Sequence, residues 1–371
     1  MAKIVLWLGR TVSPFDPLTA LHEGIGGSET AAIYMSRELS NLGHEVHVYA
    51  DLVGSSTIVD LSPHGLAVRW HPYPTLSPRY IGSLNCDLFI SSRQHEARRQ
   101  LQPICRQAWL WMHDIHCGPD WENLLATDYN KILCLSEWAQ NKFLDYYPGV
   151  DASKVWKTSN ALDLGLFSVP SAQHSLLKFG QLPFRATYSS SPDRGLDKLL
   201  DLWPKIVKLV REKYSENSLT AELHVYYGFG NWRKMAMLQG QAGEMIRAEL
   251  LYAKMLATPG VIYHGTVGKA ELANSHRLSQ MWLYPTDFLE TSCITAMEAQ
   301  AAGSKIVTTR CGALPETASS AYFVDGPTKV HDYDKRFLAQ VEQALGDDER
   351  GAMTMPTWAE VAKQWNGWIT P

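Results

Sequence analysis

Short apolar runs alternate with amphipathic stretches along the N-terminal part of the chain. The runs at 3–8, 45–50, 87–91, 108–112, 131–135 and 155–159 predict buried strands. The stretch 30–42 has apolar residues at helical spacing and is closed by Gly43. Strands that are apolar throughout and alternate with helices are typical of a parallel sheet covered on both faces. The pattern therefore predicts an α/β unit at the start of the chain.

The alternation stops at 163–183, where serine, proline and glycine predict a linker, and it then restarts. Apolar runs at 185–189, 222–227, 261–264, 281–284 and 305–308 predict a second set of strands, and 195–213 predicts a helix. The predicted fold class is α/β, with two Rossmann-like domains facing across a cleft. Ligands of such folds bind at the carboxyl ends of the parallel strands.

The expected domain boundaries follow from this pattern. The first domain covers 1–165 and the second covers 166–351. In the tail, 352–371, apolar residues recur at helical spacing and predict a C-terminal helix; they are Trp358, Val361, Ala362, Trp365 and Trp368.

Composition narrows the class of protein. The 371 residues are 45% hydrophobic and carry a net charge of −4, which argues against a disordered chain and against a surface built to bind nucleic acid. No apolar run approaches the roughly 20 residues that span a bilayer. The N-terminus is expected to be a first buried strand rather than a signal peptide. Six scattered cysteines without a C-x-x-C pair predict reduced thiols and a cytoplasmic protein.

The segment from Tyr284 to Gly303 is the most informative one for chemistry. A predicted strand ends near Pro285, and a helix is expected to begin near Thr291 or Ser292, both good N-cap residues. The first turn of such a helix offers free N–H groups that suit a phosphate. Glu290 and Glu298 are eight positions apart. At about 100° per residue they differ by roughly 80° around the helix, so both can face one side of a cleft.

This segment resembles the large family of retaining glycosyltransferases with the GT-B fold. The resemblance rests on the Glu-x7-Glu pair, the alanine-rich helix that ends at Gly303, the following strand, and the loop from Gly312 to Glu316. Other stretches are similar to the family as well: Gly26-Gly27, Met112-His113-Asp114, Ser159 to Asp163, Ser190 to Gly195, and Val261 to Gly265. The resemblance covers the chain from about Ile4 to Glu316.

The resemblance implies a retaining transferase of the hexosyltransferase type. It would move a sugar from a nucleotide-sugar to a glycan, lipid or small-molecule acceptor. The second domain would hold the donor, the first would hold the acceptor, and the C-terminal helix would pack back on the first. The implied catalytic residues are His113, Glu290 and Arg194. The implied donor-binding residues are Gly26, Gly27, Arg194, Thr291, Ser292, Cys293 and Glu298.

Within that family reading, no cofactor and no metal are expected. No D-x-D motif lies in a plausible loop, so the helix N-terminus and Arg194 would take the phosphate charge. Glu298 would accept hydrogen bonds from ribose hydroxyls, and Glu290 would contact sugar hydroxyls. The departing phosphate oxygen would take the acceptor proton, so no protein nucleophile is required.

One position departs from the family pattern. The family usually has an arginine about five residues before the second cation of the phosphate turn, and here that position is Ser189. Arg194 would then be the main side-chain cation, with Arg233 or Lys234 as substitutes. A Ser189→Arg change would compensate for loss of Arg194 if the pocket accepts the longer side chain.

Other interpretations remain open at this point. His113 is also consistent with a core histidine, and His113, His116 and Cys117 could be read as metal ligands, although no second ligand group stands at the usual spacing. A nucleotide-sugar epimerase and a non-catalytic binding or scaffold protein of the same fold are the alternative functions. A dinucleotide oxidoreductase is disfavoured, because the chain has no G-x-G-x-x-G fingerprint after its first strand.

Overall fold

The computed structural model describes residues 1–61, 65–75, 84–167, 183–214, 220–347 and 355–369. These residues form two compact units. Unit 1 comprises Met1–Leu21, Ile25–Ala161 and Pro356–Pro371, and unit 2 comprises His22–Gly24 and Leu162–Met355. Most of the predicted linker, 168–182, and the ends of the predicted tail helix lie outside the described residues.

Unit 1 is built on an eight-stranded sheet in the order β3-β4-β2-β1-β5-β6-β7-β8. Neighbouring strands run parallel except β3 and β4, which are antiparallel. The strands are β1 (Lys3–Gly9), β2 (Glu45–Ala50), β3 (Ile58–Asp60), β4 (Val68–Pro72), β5 (Asn85–Ser92), β6 (Ile104–Trp111), β7 (Lys131–Cys134) and β8 (Val155–Lys157). The first five helices are α1 (Ala20–Glu23), α2 (Gly27–Asn41), α3 (Ala97–Leu101), α4 (Glu122–Asp128) and α5 (Glu137–Tyr146).

Unit 2 has a six-stranded parallel sheet in the order β11-β10-β9-β12-β13-β14. The strands are β9 (Phe184–Tyr188), β10 (Ala221–Tyr226), β11 (Val261–Gly265), β12 (Met281–Tyr284), β13 (Lys305–Thr309) and β14 (Tyr322–Val324). The helices are α6 (Leu164–Phe167), α7 (Leu196–Tyr214), α8 (Gly230–Leu238), α9 (Ala242–Ala257), α10 (Lys269–Leu278), α11 (Ile294–Ala301), α12 (Leu314–Thr317) and α13 (Tyr333–Gly346). The fully apolar strands are buried on both faces, as expected for parallel sheets.

The last helix, α14 (Trp358–Ile369), belongs to unit 1 and packs against α2. The rings of Trp358 and Tyr34 stack with centroids 5.6 Å apart. Trp365 is buried, and its Nε1 donates to Thr158 Oγ1 at 2.8 Å. A helix distant in sequence thus covers part of the sheet of unit 1. In the described part of the chain, no helix combines the length and the apolar character needed to cross a membrane.

Three strands, β3, β4 and β14, were not predicted from the sequence pattern. β3 and β14 have only three residues each, and β4 alternates buried and exposed positions. A parallel strand that is buried on both faces has a continuous apolar run, whereas a short or edge strand does not. The helices α8 and α9, between β10 and β11, were likewise not predicted.

Candidate functional site

The segment between β12 and α11 carries the candidate residues of unit 2. The helix was predicted to begin near Thr291 or Ser292, but it begins at Ile294, with Cys293 in an extended N-cap conformation. Glu290 therefore lies in the loop before the helix, and the angle of about 80° argued for two helical residues does not apply to it. Glu290 and Glu298 are positioned by different partners.

Glu290 is buried in a small network of polar groups. The Tyr284 hydroxyl donates to Glu290 Oε1 at 2.7 Å, and Arg194 Nη1 donates to the same oxygen at 3.3 Å. The Ser190 hydroxyl in turn donates to the Tyr284 hydroxyl at 3.2 Å. Burial raises the pKa of Glu290, and the charge of Arg194 opposes that shift. The carboxylate is thus held in one orientation beside a cation.

Arg194 ends a 3-10 turn, Pro192–Arg194, between β9 and α7. Its guanidinium carbon lies 3.8 Å from the centre of the Phe288 ring. The guanidinium also forms an ion pair with Glu290. Burial lowers the pKa of Arg194, but the neighbouring acidic groups, of which Glu290 contributes most, together outweigh burial and raise the pKa. Arg194 Nε is buried and has no hydrogen-bond partner among the described residues.

Two glycines allow the neighbouring backbone segments to meet at this point. Gly195 has φ +127°, and a Cβ there would lie 2.1 Å from the carbonyl oxygen of Pro285. Gly312 has φ +56°, and a Cβ there would lie 2.6 Å from both N and O of Glu290. Ala313 N donates to Glu290 O at 2.8 Å. The loop after β13 thus holds the backbone of Glu290, and only glycine fits that approach.

Glu298 lies on α11 and is almost fully buried, with 1% of its surface exposed. Lys269 Nζ donates to its Oε1 at 2.5 Å, while Oε2 is buried and has no partner within the described chain. Burial raises the pKa of Glu298, and Lys269 opposes that shift. The sequence did not single out Lys269. It is the first residue of α10, and no local pattern indicates a contact 29 positions away.

Thr291, Ser292 and Cys293 lead into the first turn of α11. Ser292 Oγ is buried and lacks a hydrogen-bond partner in the part of the chain that the structure covers. Cys293 is buried, with its Sγ 3.5 Å from Thr295 Oγ1, and burial raises the pKa of this thiol. The first N–H groups of a helix have no acceptor inside it, so this end is electropositive.

Ser189 leaves no room for a long cation. It is buried, Trp282 Nε1 donates to its hydroxyl at 3.0 Å, and His276 Nε2 lies 3.4 Å from the same oxygen. An arginine here would displace buried aromatic rings. The condition for compensation by Ser189→Arg, a pocket that accepts the longer side chain, is therefore not met. Arg233, a suggested substitute, instead binds Glu249 on α9 with Nε–Oε1 2.7 Å; Lys234 follows it on α8.

The other candidates, His113, Gly26 and Gly27, lie in unit 1. The His113 ring centre is 4.6 Å from that of Trp111, and burial, with the Arg93 charge, lowers the pKa of His113 to about 3. Gly26 is the N-cap of α2, and Gly27 is its first residue. Glu29 Oε2 accepts from Ser28 Oγ at 2.9 Å beside this helix start.

The metal hypothesis for His113, His116 and Cys117 finds no support in their contacts. His116 stacks on Tyr146, with ring centres 4.3 Å apart, and Cys117 Sγ lies 3.7 Å from Met112 Sδ. Across the described ranges, no group of three or more histidine, cysteine or acidic side chains is placed to hold a metal ion. The Asp-x-Asp pair at 332–334 is engaged by cations: Asp332 with Arg336, and Asp334 with Lys198 and Lys205.

The chain was compared with protein families, curated protein sequences and solved structures, and only solved structures are similar to it. No protein-family model and no curated protein sequence matches the chain. Sucrose-phosphate synthase from Thermosynechococcus elongatus is similar with a TM-score of 0.66 and 13% identity, over 99% of this chain and 98% of that one. The Anabaena protein HepE in complex with UDP-glucose is similar with a TM-score of 0.62 and 14% identity, over 100% and 95%.

The catalytic domain of starch synthase IV from Arabidopsis thaliana, bound to ADP and acarbose, is similar with a TM-score of 0.61 and 11% identity. It covers 100% of this chain and 99% of that one. The chain has the GT-B fold. At these identities the likeness shows the fold alone, and it confirms the predicted α/β class with two Rossmann-like units.

Proposed function

We propose that this GT-B protein is a glycosyltransferase that uses a nucleotide-sugar donor, retains the anomeric configuration and needs no metal. The observation that carries the proposal is a set of three buried polar atoms without partners among the described residues: Arg194 Nε, Ser292 Oγ and Glu298 Oε2. Buried polar groups are normally hydrogen-bonded, so these three atoms, which belong to α11, to the segment leading into it and to the arginine that binds Glu290, support a place for a polar ligand.

The types of these atoms suit a nucleoside diphosphate. Arg194 and the electropositive first turn of α11 favour an anion, and guanidinium binds phosphate with charge-assisted hydrogen bonds. Glu298 Oε2 is an acceptor and suits a ribose hydroxyl. Among the neighbours in fold, HepE has been solved with UDP-glucose and starch synthase IV with ADP.

Glu290 is proposed to contact hydroxyls of the transferred sugar. Its Oε1 is taken by Tyr284 and Arg194, so the second oxygen is the one that would face a ligand. As the sugar leaves the diphosphate, negative charge grows on the leaving group. Arg194 and the helix N-terminus would stabilise that charge, which is where preorganised dipoles contribute most to rate.

Retention and metal independence belong to the same proposal. The leaving phosphate oxygen would take the acceptor proton, so no side chain acts as a nucleophile. His113 is proposed to contact the donor sugar as a neutral imidazole, because its lowered pKa keeps it uncharged near neutral pH. The acceptor would be a glycan, a lipid or a small molecule.

Thermal-shift screening of nucleoside diphosphates and nucleotide-sugars tests the donor site, because a ligand that binds the folded state raises the unfolding temperature. A labelled donor then separates the functions. Transfer to an acceptor with retained configuration and unchanged rate in EDTA supports the proposal. Conversion of the donor alone indicates an epimerase, binding without turnover indicates a non-catalytic protein, and loss of rate with EDTA contradicts the metal-free mechanism.

A further inference from the structure

Cys86 and Cys105 lie opposite each other on two neighbouring strands of unit 1. Each is the second residue of its strand, β5 or β6, and the two are register partners in the parallel pairing. The start of this pairing is held by Ile104 N, which donates to Leu84 O at 2.8 Å. Register partners project from the same face of a sheet, so the two sulfur atoms share one side.

The strand spacing is compatible with a bond between the two sulfurs. Neighbouring strands lie about 4.7–4.9 Å apart. Disulfides join residues whose Cα atoms are about 4.4–6.8 Å apart. A bridge between these register partners therefore falls inside the allowed range of backbone separation. Both cysteines are free thiols in this structure.

The two thiols differ in exposure and in acidity. Cys86 is 6% exposed, inside an apolar cluster with Val5 and Phe89, whereas Cys105 is half-buried at the edge of that cluster. The interaction with the Cys86 thiol lowers the pKa of Cys105, against the effect of burial, and the Arg98 charge adds to the lowering. The same interaction and burial raise the pKa of Cys86.

The other four thiols have no such surroundings. Burial raises the pKa of Cys117 and Cys134 to about 12 and of Cys311 to about 11, and it also raises that of Cys293. Because the thiolate is the nucleophile, these thiols should react slowly at neutral pH. Cys105 alone combines partial exposure, a stabilised thiolate and a thiol neighbour, the combination typical of redox-sensitive cysteines.

We propose that Cys86 and Cys105 form a peroxide-sensitive thiol pair, in which Cys105 reacts first and Cys86 resolves it to a disulfide between β5 and β6. This modification site is independent of the proposed transferase activity. Its reagents are a hydroperoxide as the oxidant and a low-molecular-weight thiol as the reductant that restores the pair.

The chemistry balances in two steps. The Cys105 thiolate attacks hydrogen peroxide, the O–O bond breaks, and Cys105 becomes a sulfenic acid while hydroxide leaves. The Cys86 sulfur then attacks the Cys105 sulfur, the S–S bond forms, and the S–O bond breaks as a second hydroxide. Protons of the two thiols convert both hydroxides to water. The pair loses two electrons, and one peroxide is reduced to two waters.

The test uses the full-length protein, reduced and then treated with stoichiometric hydrogen peroxide at pH 7. After alkylation and trypsin digestion without reductant, the expected product joins peptide 80–93 to peptide 100–106. It should account for most of the oxidised protein and disappear with dithiothreitol. Failure to detect this linked pair, or oxidation spread evenly over all six cysteines, would overturn the proposal.

Two variants and one internal control assign the roles. Cys86→Ser should leave Cys105 as a sulfenic acid that dimedone traps, whereas Cys105→Ser should leave Cys86 reduced at the same dose. In the unmodified sequence, N-ethylmaleimide should label Cys105 at least about tenfold faster than Cys311, which is also half-buried but has a raised pKa. Equal labelling rates would contradict the assignment without requiring any variant to fold.

Discussion

At the scale of single residues, the candidate donor site contains two ion pairs, each with a buried carboxylate. Arg194 is balanced by Glu290, and Lys269 is balanced by Glu298. Breaking a buried pair by removing one partner leaves an uncompensated charge, which costs more than the pair itself contributes. Variants at this site must therefore separate loss of binding from loss of folding.

We expect Arg194→Ala to reduce transfer about tenfold to a hundredfold, because a charge-assisted hydrogen bond contributes about 1.5–3 kcal/mol and about 1.4 kcal/mol corresponds to one decade. The loss should appear in turnover as well as in donor affinity, since the diphosphate gains charge during the reaction. Arg194→Lys should recover part of the activity. Steady-state kinetics at saturating acceptor measure both effects.

A double variant controls for the carboxylate that this change leaves without its cation. In Arg194→Ala the buried Glu290 loses its cation, so its raised pKa should rise further and the fold should lose stability. Adding Glu290→Gln removes the charge and should restore the unfolding temperature without restoring transfer. Full donor affinity and turnover in Arg194→Ala would mean that the phosphates are bound elsewhere.

The second residue-scale prediction concerns Lys269. In the original protein Lys269 binds Oε1 of Glu298, so that Oε2 is available to a ribose hydroxyl. Lys269→Met removes the group that positions this carboxylate and should therefore weaken nucleoside diphosphate binding. Glu298→Gln should weaken binding too, and the two changes together should cost less than their sum, as expected for directly contacting residues. Calorimetry with the diphosphate measures these affinities.

Lys205 provides the matched control for Lys269. It is a lysine of the same unit, 55% exposed, and pairs with Asp334 away from α11. Lys205→Met should leave diphosphate affinity unchanged. Equal weakening by both lysine variants would show that net charge, rather than the contact with Glu298, determines binding.

At the scale of elements, the site depends on how closely the loops after the strands approach one another. Gly312 makes one of these close approaches, since a Cβ built on it would lie 2.6 Å from both N and O of Glu290. We expect Gly312→Ala to destabilise unit 2 and to reduce donor binding, because the new methyl group adds a clash to the strain of a positive φ. Urea unfolding and diphosphate titration measure the two effects.

A variant at Gly240 is the control that distinguishes the effect of the clash from the effect of backbone strain. Its φ is +67°, close to the +56° of Gly312, but no atom lies within 4 Å of a Cβ built there. Gly240→Ala should therefore cost only the left-handed conformation, about 1–2 kcal/mol, and leave binding intact. If the two variants lose equal stability, the contact between Gly312 and Glu290 is not what shapes the loop.

At the scale of the whole molecule, buried ionisable groups make stability depend on pH. Burial lowers the pKa of His113 and of His276 from 6.5 to about 3. Between these values the unfolded chain binds more protons than the folded one. The free energy of unfolding should therefore fall as pH drops below about 6.5, by up to about 1.4 kcal/mol per pH unit for each histidine.

Glu290 and Glu298 act in the opposite direction. Their raised pKa values give a stabilising contribution that is present below the ordinary value of 4.5 and is lost as pH rises through the folded pKa. The histidines are best isolated with His276→Gln, measured by urea unfolding from pH 4.5 to 7.5. The gap between this variant and the original protein should narrow as pH falls, and a constant gap would contradict the prediction.

The class of fold and the positions of its main strands could be predicted from the sequence. Continuous apolar runs such as those of β1 and β12 are typical of strands that are buried on both faces of a parallel sheet, so the run of apolar residues is enough to locate them. The sequence also indicated the segment from Glu290 to Glu298, because helix-start and helix-stop residues surround it. Whether these residues bind a donor remains a prediction.

The contacts between distant side chains could not be predicted from the sequence and are known only from the folded structure. Lys269 binds Glu298, and Gly312 lies against the backbone of Glu290. Cys86 lies opposite Cys105. No local pattern in the sequence indicates any of these contacts. The sequence also did not predict that the helix begins at Ile294 or that Ser189 packs against Trp282. Local patterns report burial and periodicity, whereas contacts between distant segments depend on how strands pair and how loops close, and only the folded chain contains that information.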